Sequence, residues 1–154
     1  MKKKSSDIIL NLFREKSSMK QDVFHKTIVA FNDLKNVLKE TVKELKAEAV
    51  KIDKRIVVDY VEKSEHEIEM RIAGDVLIFH MHTNIFEFDK SHPIWKTSYV
   101  RENPKNSYCG MISVYNFLND SFKYNRVNDV GYLIARIFLN NETHFFAEGK
   151  RQLG

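Results

Sequence analysis

From Met19 to about Asp53 the chain contains no Gly and no Pro, and its apolar residues recur at spacings of four and three. Phe24, Ile28, Phe31, Lys35, Leu38, Val42, Leu45, Ala49 and Ile52 fall on one stripe, and all but Lys35 are apolar. That period predicts a long amphipathic helix over 19–53. Leu34 and Val37 widen the stripe beyond a narrow coiled-coil seam, which suits packing on a sheet. A helix of about 35 residues is nevertheless about 50 Å long, whereas a domain of this size is about 30 Å across. Part of it must overhang, bend or meet a second copy, so a homodimer is one expected outcome. Before it, Ser5 or Ser6 is placed to cap a short helix with Ile8, Ile9, Leu12 and Phe13 on one face. Ser17-Ser18 is expected to end that helix, with Ser18 and Gln21 spaced as a capping box.

After Arg55 the period shortens to two. Ile56–Val61 is a β-branched run, and His66, Ile68, Met70 and Ile72 alternate with Glu65, Glu67, Glu69 and Arg71. Ala73-Gly74-Asp75 reads as a turn into a returning strand, Val76–His82. Ile85–Phe88 is placed to extend that strand past a bulge. Residues 89–108 lose periodicity and hold both prolines, Pro93 and Pro104, with Trp95, Tyr99 and Tyr108. A connection this long is often a lid or a binding loop. Met111–Leu118 reads as a strand, Phe122–Val127 as another after a turn at Asn119-Asp120-Ser121, and Tyr132–Leu139 with His144–Glu148 as a final hairpin. Residues 130–139 also fit a helical face, but Gly131 and the following turn favour the strand. The expected fold is therefore α+β: N-terminal helices on a mostly antiparallel, curved sheet of about seven strands. Residues 1–18 form a short helix and linker, and 19–154 a single domain with its sheet over 55–149.

The bulk numbers add limits. A chain of 154 residues with 43% apolar and 30% charged residues has the composition of a globular domain. One cysteine, Cys109, excludes an internal disulfide and a Cys-rich zinc site. The N-terminal apolar run is too short and too charged for a signal peptide, and no stretch approaches a membrane span. A cytoplasmic setting without a membrane partner is expected. Residues 1–55 carry 14 Lys and Arg against 8 Asp and Glu, net +6, while 56–154 carry 11 against 13, net −2. A basic nucleic-acid surface would use Lys2–Lys4 with Lys35, Lys39, Lys43 and Lys46. Glu40, Glu44 and Glu48 run beside that row, and phosphate binding wants uncompensated charge, so nucleic acid is not the favoured partner.

Five glycines include no GxGxxG or other phosphate-cradling loop, and neither a nucleophile elbow nor a catalytic cysteine signature is present. The histidines offer one pattern. Gly74-x5-His80-x-His82-x4-Glu87 resembles, over about 14 residues, the front of the first cupin motif. That resemblance implies a metal-dependent enzyme in which His80, His82 and Glu87 help hold the ion. The chain departs from the family: the closing glycine is replaced by Pro93-Ile94, the second motif is absent, and the long helix is not expected. Hairpin register offers a different account. A two-residue loop puts Ile68, Met70, Leu77, Phe79 and Met81 on the core face, leaving His80 and His82 on the outer face opposite glutamates. The favoured expectation is a non-enzymatic module that binds a small ligand or a protein, with no metal or cofactor. Trp95, Tyr99 and Tyr108 are the candidate ligand contacts.

Overall fold

The computed structural model describes residues 4–149. Helix α1 (Ser5–Leu12) passes through a π-helical turn at Phe13–Ser17 directly into α2 (Ser18–Ile52). The expected break at Ser17-Ser18 does not occur. Both serines hold helical backbone angles, no capping hydrogen bond forms, and the irregularity is absorbed as a wider turn. The strands are β1 (Val58–Ser64), β2 (Glu67–Ile72), β3 (Asp75–Met81), β4 (Phe86–Glu87), β5 (Tyr108–Leu118), β6 (Tyr132–Asn140) and β7 (Phe145–Gly149). Two short helices, α3 (Ser98–Glu102) and α4 (Asn119–Lys123), lie in the connections.

The strands form one open antiparallel sheet in the order β1-β2-β3-β5-β6-β7, with β4 also paired to β5. Because β6 occupies the other side of β5, β4 must lie on the β3 side, continuing that strand after an interruption at 82–85. The fold is thus the expected α+β arrangement, and residues 132–140 are a strand. Among the described residues the strand count is seven, but its membership differs from expectation. Phe122–Val127 is not a strand: Asn119-Asp120-Ser121 begins α4, and Asn125, at φ 52°, turns the chain out of it. Asp120 suits the first turn of a helix, and Asn tolerates the left-handed conformation that ends one.

Helix α2 crosses one face of the sheet. Phe31, Leu38, Val42 and Ala49 are buried against Val58, Ile68, Met70, Phe79, Met81, Ile112 and Val114. At the start of β5, Met19 and Val23 pack on Tyr108. The closest approach is at Gly110, where a Cβ would overlap Thr27 Oγ1 and sit 2.7 Å from its Cγ2. Thr27 is fully buried and donates its hydroxyl to the Val23 carbonyl at 2.7 Å. Lys35, the one polar member of the stripe, places its Nζ 5.4 Å over the Phe31 ring centroid and 3.6 Å from Glu62. Glu62 also takes Lys39 and the Tyr60 hydroxyl, so its carboxyl is held below the usual range, chiefly by the Lys39 hydrogen bond.

The overhang foreseen from helix length is N-terminal. α1 and the π turn bury none of their residues, and Ile8, Ile9, Leu12 and Phe13 stay about half exposed. At the other end Leu45 and Ile52, expected in the stripe, are also exposed. Among the described residues no helix is long and apolar enough to cross a membrane.

Candidate functional site

The hairpin of β2 and β3 decides where the histidines point. Its loop is Ala73-Gly74, with Ile72 opposite Asp75, so Ile68 pairs with Phe79 and Glu67 with His80. Alternation then sends Ile68, Phe79 and Met81 to α2, and His80 to the opposite face. His80 Nδ1 lies 3.3 Å from Glu67. His82, just past the ladder, packs edge-on against His80 (5.1 Å) and Phe86 (5.6 Å). Desolvation, with His80 beside it, lowers the pKa of His82 below its ordinary value.

Glu87 does not join this pair. In β4 it sits opposite Tyr108 on the α2 side, where Lys90 bonds it at 2.9 Å and Tyr108 also donates to it. Those bonds lower its pKa, the Lys90 contact most. Among the described residues no three or more His, Cys, Asp or Glu side chains are grouped as a metal would require. Ser113 Oγ approaches His82 Nε2 at 3.4 Å, yet Ser113 is only 1% exposed and out of a substrate's reach. Three of the four lysines in the α2 row meet acids of β1, Lys35 and Lys39 at Glu62 and Lys46 at Asp59 (2.8 Å), while Lys43 is exposed. Lys2 and Lys3 lie outside the described residues.

The segment between β4 and β5 folds as a cover over the face opposite α2. His92 caps a 3-10 turn at Pro93–Lys96, Thr97 caps α3, and Asn103 caps a second 3-10 turn at Pro104–Ser107. Proline at the first position of each 3-10 turn needs no amide donor there. Val100 and Ser107 are fully buried. Phe88 N–H donates to the Ser107 carbonyl (3.0 Å), which joins the two ends of the cover, and from its middle the Tyr99 hydroxyl donates to Glu142 (2.6 Å). Asn140 Nδ2 donates to the same Tyr99 oxygen at 2.8 Å, while its Oδ1 accepts the amides of Glu142 and His144. Asn140 therefore ties the cover to the β6–β7 turn. Desolvation, then the bond to Glu142, raises the Tyr99 pKa.

Between this cover and β6–β7 lies a cleft of about 460 Å³ lined by Phe88, Ile94, Tyr99, Phe138, His144 and Phe146, among others. A neighbouring recess of about 280 Å³ reaches His92, Arg136 and Glu148, and Phe88, Cys109 and Phe138 line both. The aromatic walls are in contact, Phe88 with Phe138 at 4.9 Å and Phe138 with Phe146 at 6.2 Å. One end is polar through Tyr99, Asn140 and His144; the other through His92 and Arg136, which face Glu148 at 3.3 and 4.0 Å. Burial pushes the Cys109 thiol up to about 12, so the sulfur in the floor is a neutral apolar surface and not a nucleophile.

Of the three aromatic contacts expected, Tyr99 lines the cleft. Trp95 is pinned beside it, with its indole N–H on the Phe88 carbonyl at 3.0 Å and Lys90 3.5 Å over its ring. Tyr108 points to the other face, among Met19 and Val23. The structure therefore does not bring the three together. Sequence reasoning does not point to Phe88, Phe138, Asn140 or Phe146, and it weighs His144 only as a third histidine for the metal pattern, from which the structure places it apart beside Tyr99. The alternation of Phe138 and Asn140 along β6 was the available signal, since it places both on the face opposite α2. No protein-family model, curated protein or solved structure matches the chain.

Proposed function

We propose that this protein is a non-enzymatic binding module whose site is the cleft between the 88–107 cover and β6–β7. The carrying observation is the aromatic cavity of about 460 Å³, closed at one end by the Tyr99–Asn140–His144 group. Ligand sites are typically concave and mostly apolar, about 300–1,000 Å³ in volume, with a few convergent polar groups. The occupant fitting this lining is a small molecule with a flat apolar body and one hydrogen-bonding end. Its body would lie along Phe88, Phe138 and Phe146, and its polar end would meet Tyr99 and His144. A reduced, buried Cys109 suits a cytoplasmic setting.

Fluorescence titration with anilinonaphthalene sulfonate, a flat apolar anion, tests this. Saturable one-to-one binding is expected, weakened about tenfold or more in Ile94→Trp, where the added indole fills the cleft; tenfold corresponds to about 1.4 kcal/mol. Unchanged affinity in a folded Ile94→Trp protein would place the probe elsewhere and remove the support.

A further inference from the structure

The two edges of the sheet are built differently. β1 carries Asp59, Glu62 and Lys63, each held in an ion pair: with Lys46, with Lys35 and Lys39, and with Glu69. Charged side chains of this kind discourage a further strand. β7, the other edge, reads Phe145-Phe146-Ala147-Glu148-Gly149, with Phe145 73% and Phe146 44% exposed. It has no Lys and no Pro to blunt it.

The backbone of β7 is ready to pair. Asn140 N–H donates to the His144 carbonyl at 3.1 Å, and β6–β7 continues in register through Phe138 opposite Phe146. Hydrogen-bonded and non-hydrogen-bonded pairs alternate in such a ladder. His144, Phe146 and Glu148 therefore direct their amides and carbonyls to β6, and Phe145 and Ala147 direct theirs outward. From this geometry we infer that β7 pairs antiparallel with β7 of a second copy, across a two-fold axis at Phe146, joining two sheets into one.

This register is self-complementary. Phe145 faces the other copy's Ala147 and exchanges both backbone hydrogen bonds with it, and the same occurs on the other side of the axis. The two Phe146 rings meet at the centre in a close non-hydrogen-bonded pair. His144 lies opposite Glu148 of the second copy, an opposite-charge pair when His144 is protonated. A two-fold axis perpendicular to the sheet keeps like faces together, so both clefts open on one face and Phe146 of each copy borders the other's rim. The pairing needs no ligand and stands apart from the binding reading.

Sedimentation equilibrium over a dilution series, with two variants, tests it. Ala147→Pro removes an outward amide that β6 does not use, and edge strands accept Pro at such positions. Wild type should show twice the chain mass, Ala147→Pro the single chain mass with unchanged circular dichroism. Phe146→Cys should cross-link on oxidation, because the central pair brings Cα atoms to about 4.5 Å, within disulfide range. A wild type monomeric at every concentration would overturn the inference, as would a dimer that Ala147→Pro leaves intact. If Ala147→Pro does not fold, absence of the Phe146→Cys cross-link decides against it.

Discussion

Gly110→Ala probes the seat of the long helix on the sheet. The added methyl would overlap Thr27 Oγ1 and lie 2.7 Å from Cγ2 and 2.8 Å from Cβ. Thr27 cannot swing aside easily: it is β-branched, fully buried and tied by its hydroxyl to the Val23 carbonyl. The backbone at Gly110 has no positive φ, so steric overlap is the whole effect. Forcing a methyl into a well-packed contact costs about 1–3 kcal/mol. At about 2–4 °C per kcal/mol for a chain of this size, the melting temperature should fall by about 2–12 °C. Thr27→Ala removes Oγ1 and Cγ2 but leaves Cβ at 2.8 Å, so it should rescue in part. Thermal and urea melts of the two single variants, the double variant and wild type form a cycle. The double variant should lose less than the two singles together, by about 0.5–3 kcal/mol. A Gly110→Ala protein as stable as wild type, or strictly additive losses, would refute a helix seated on β5 at this point.

Two further outcomes follow from the titrating groups. With its thiol buried and pushed up to about 12, Cys109 should react with a disulfide reagent far more slowly in native buffer than in denaturant; equally prompt reaction in native buffer would contradict that burial. His82 has a folded pKa below its unfolded value of 6.5, so its neutral form is favoured by folding and its contribution is present above 6.5 and lost as pH falls through the folded value. Proton NMR should give His82 a midpoint below 6.5, with stability declining on the acid side; a midpoint at or above 6.5 would sink that account.

What could be read in the sequence was what local rules control. The apolar stripe of α2 and the two-residue turn at Ala73-Gly74 each follow from a short-range period, and together they settle the face of Ile68, Phe79 and His80. The stripe misled at Leu45, at Ile52 and at Val37, all exposed; Ala49, between the first two, is buried in the core, so the helix meets the sheet along a narrower line than the apolar period suggests. Ser17-Ser18 looks like a boundary on capping grounds, but a pair of exposed serines disfavours a helix only weakly. Phe122–Val127 has strand-like residues, yet α4 takes up Phe122 and Lys123 and the left-handed Asn125 turns the chain away from pairing. The cleft was least legible. Its wall joins Phe88, Tyr99, Phe138 and Asn140, which are remote in sequence and meet through the cover, and no spacing rule encodes that. Glu87 shows the reverse failure: a spacing that resembles a metal motif is undone because β4 turns this side chain to Tyr108 and Lys90.

The central claim is that the cleft beneath the 88–107 cover is where a small apolar ligand binds. The most direct measurement is a ¹H–¹³C NMR titration of the aromatic and isoleucine methyl signals with anilinonaphthalene sulfonate. The account predicts that Ile94, Tyr99, Phe138 and Phe146 shift together and saturate at one equivalent, while Ile68 and Phe79 beneath α2 stay fixed. Shifts confined to Ile8, Ile9 and Phe13 of the helical overhang, or spread over the α2 face, would contradict it.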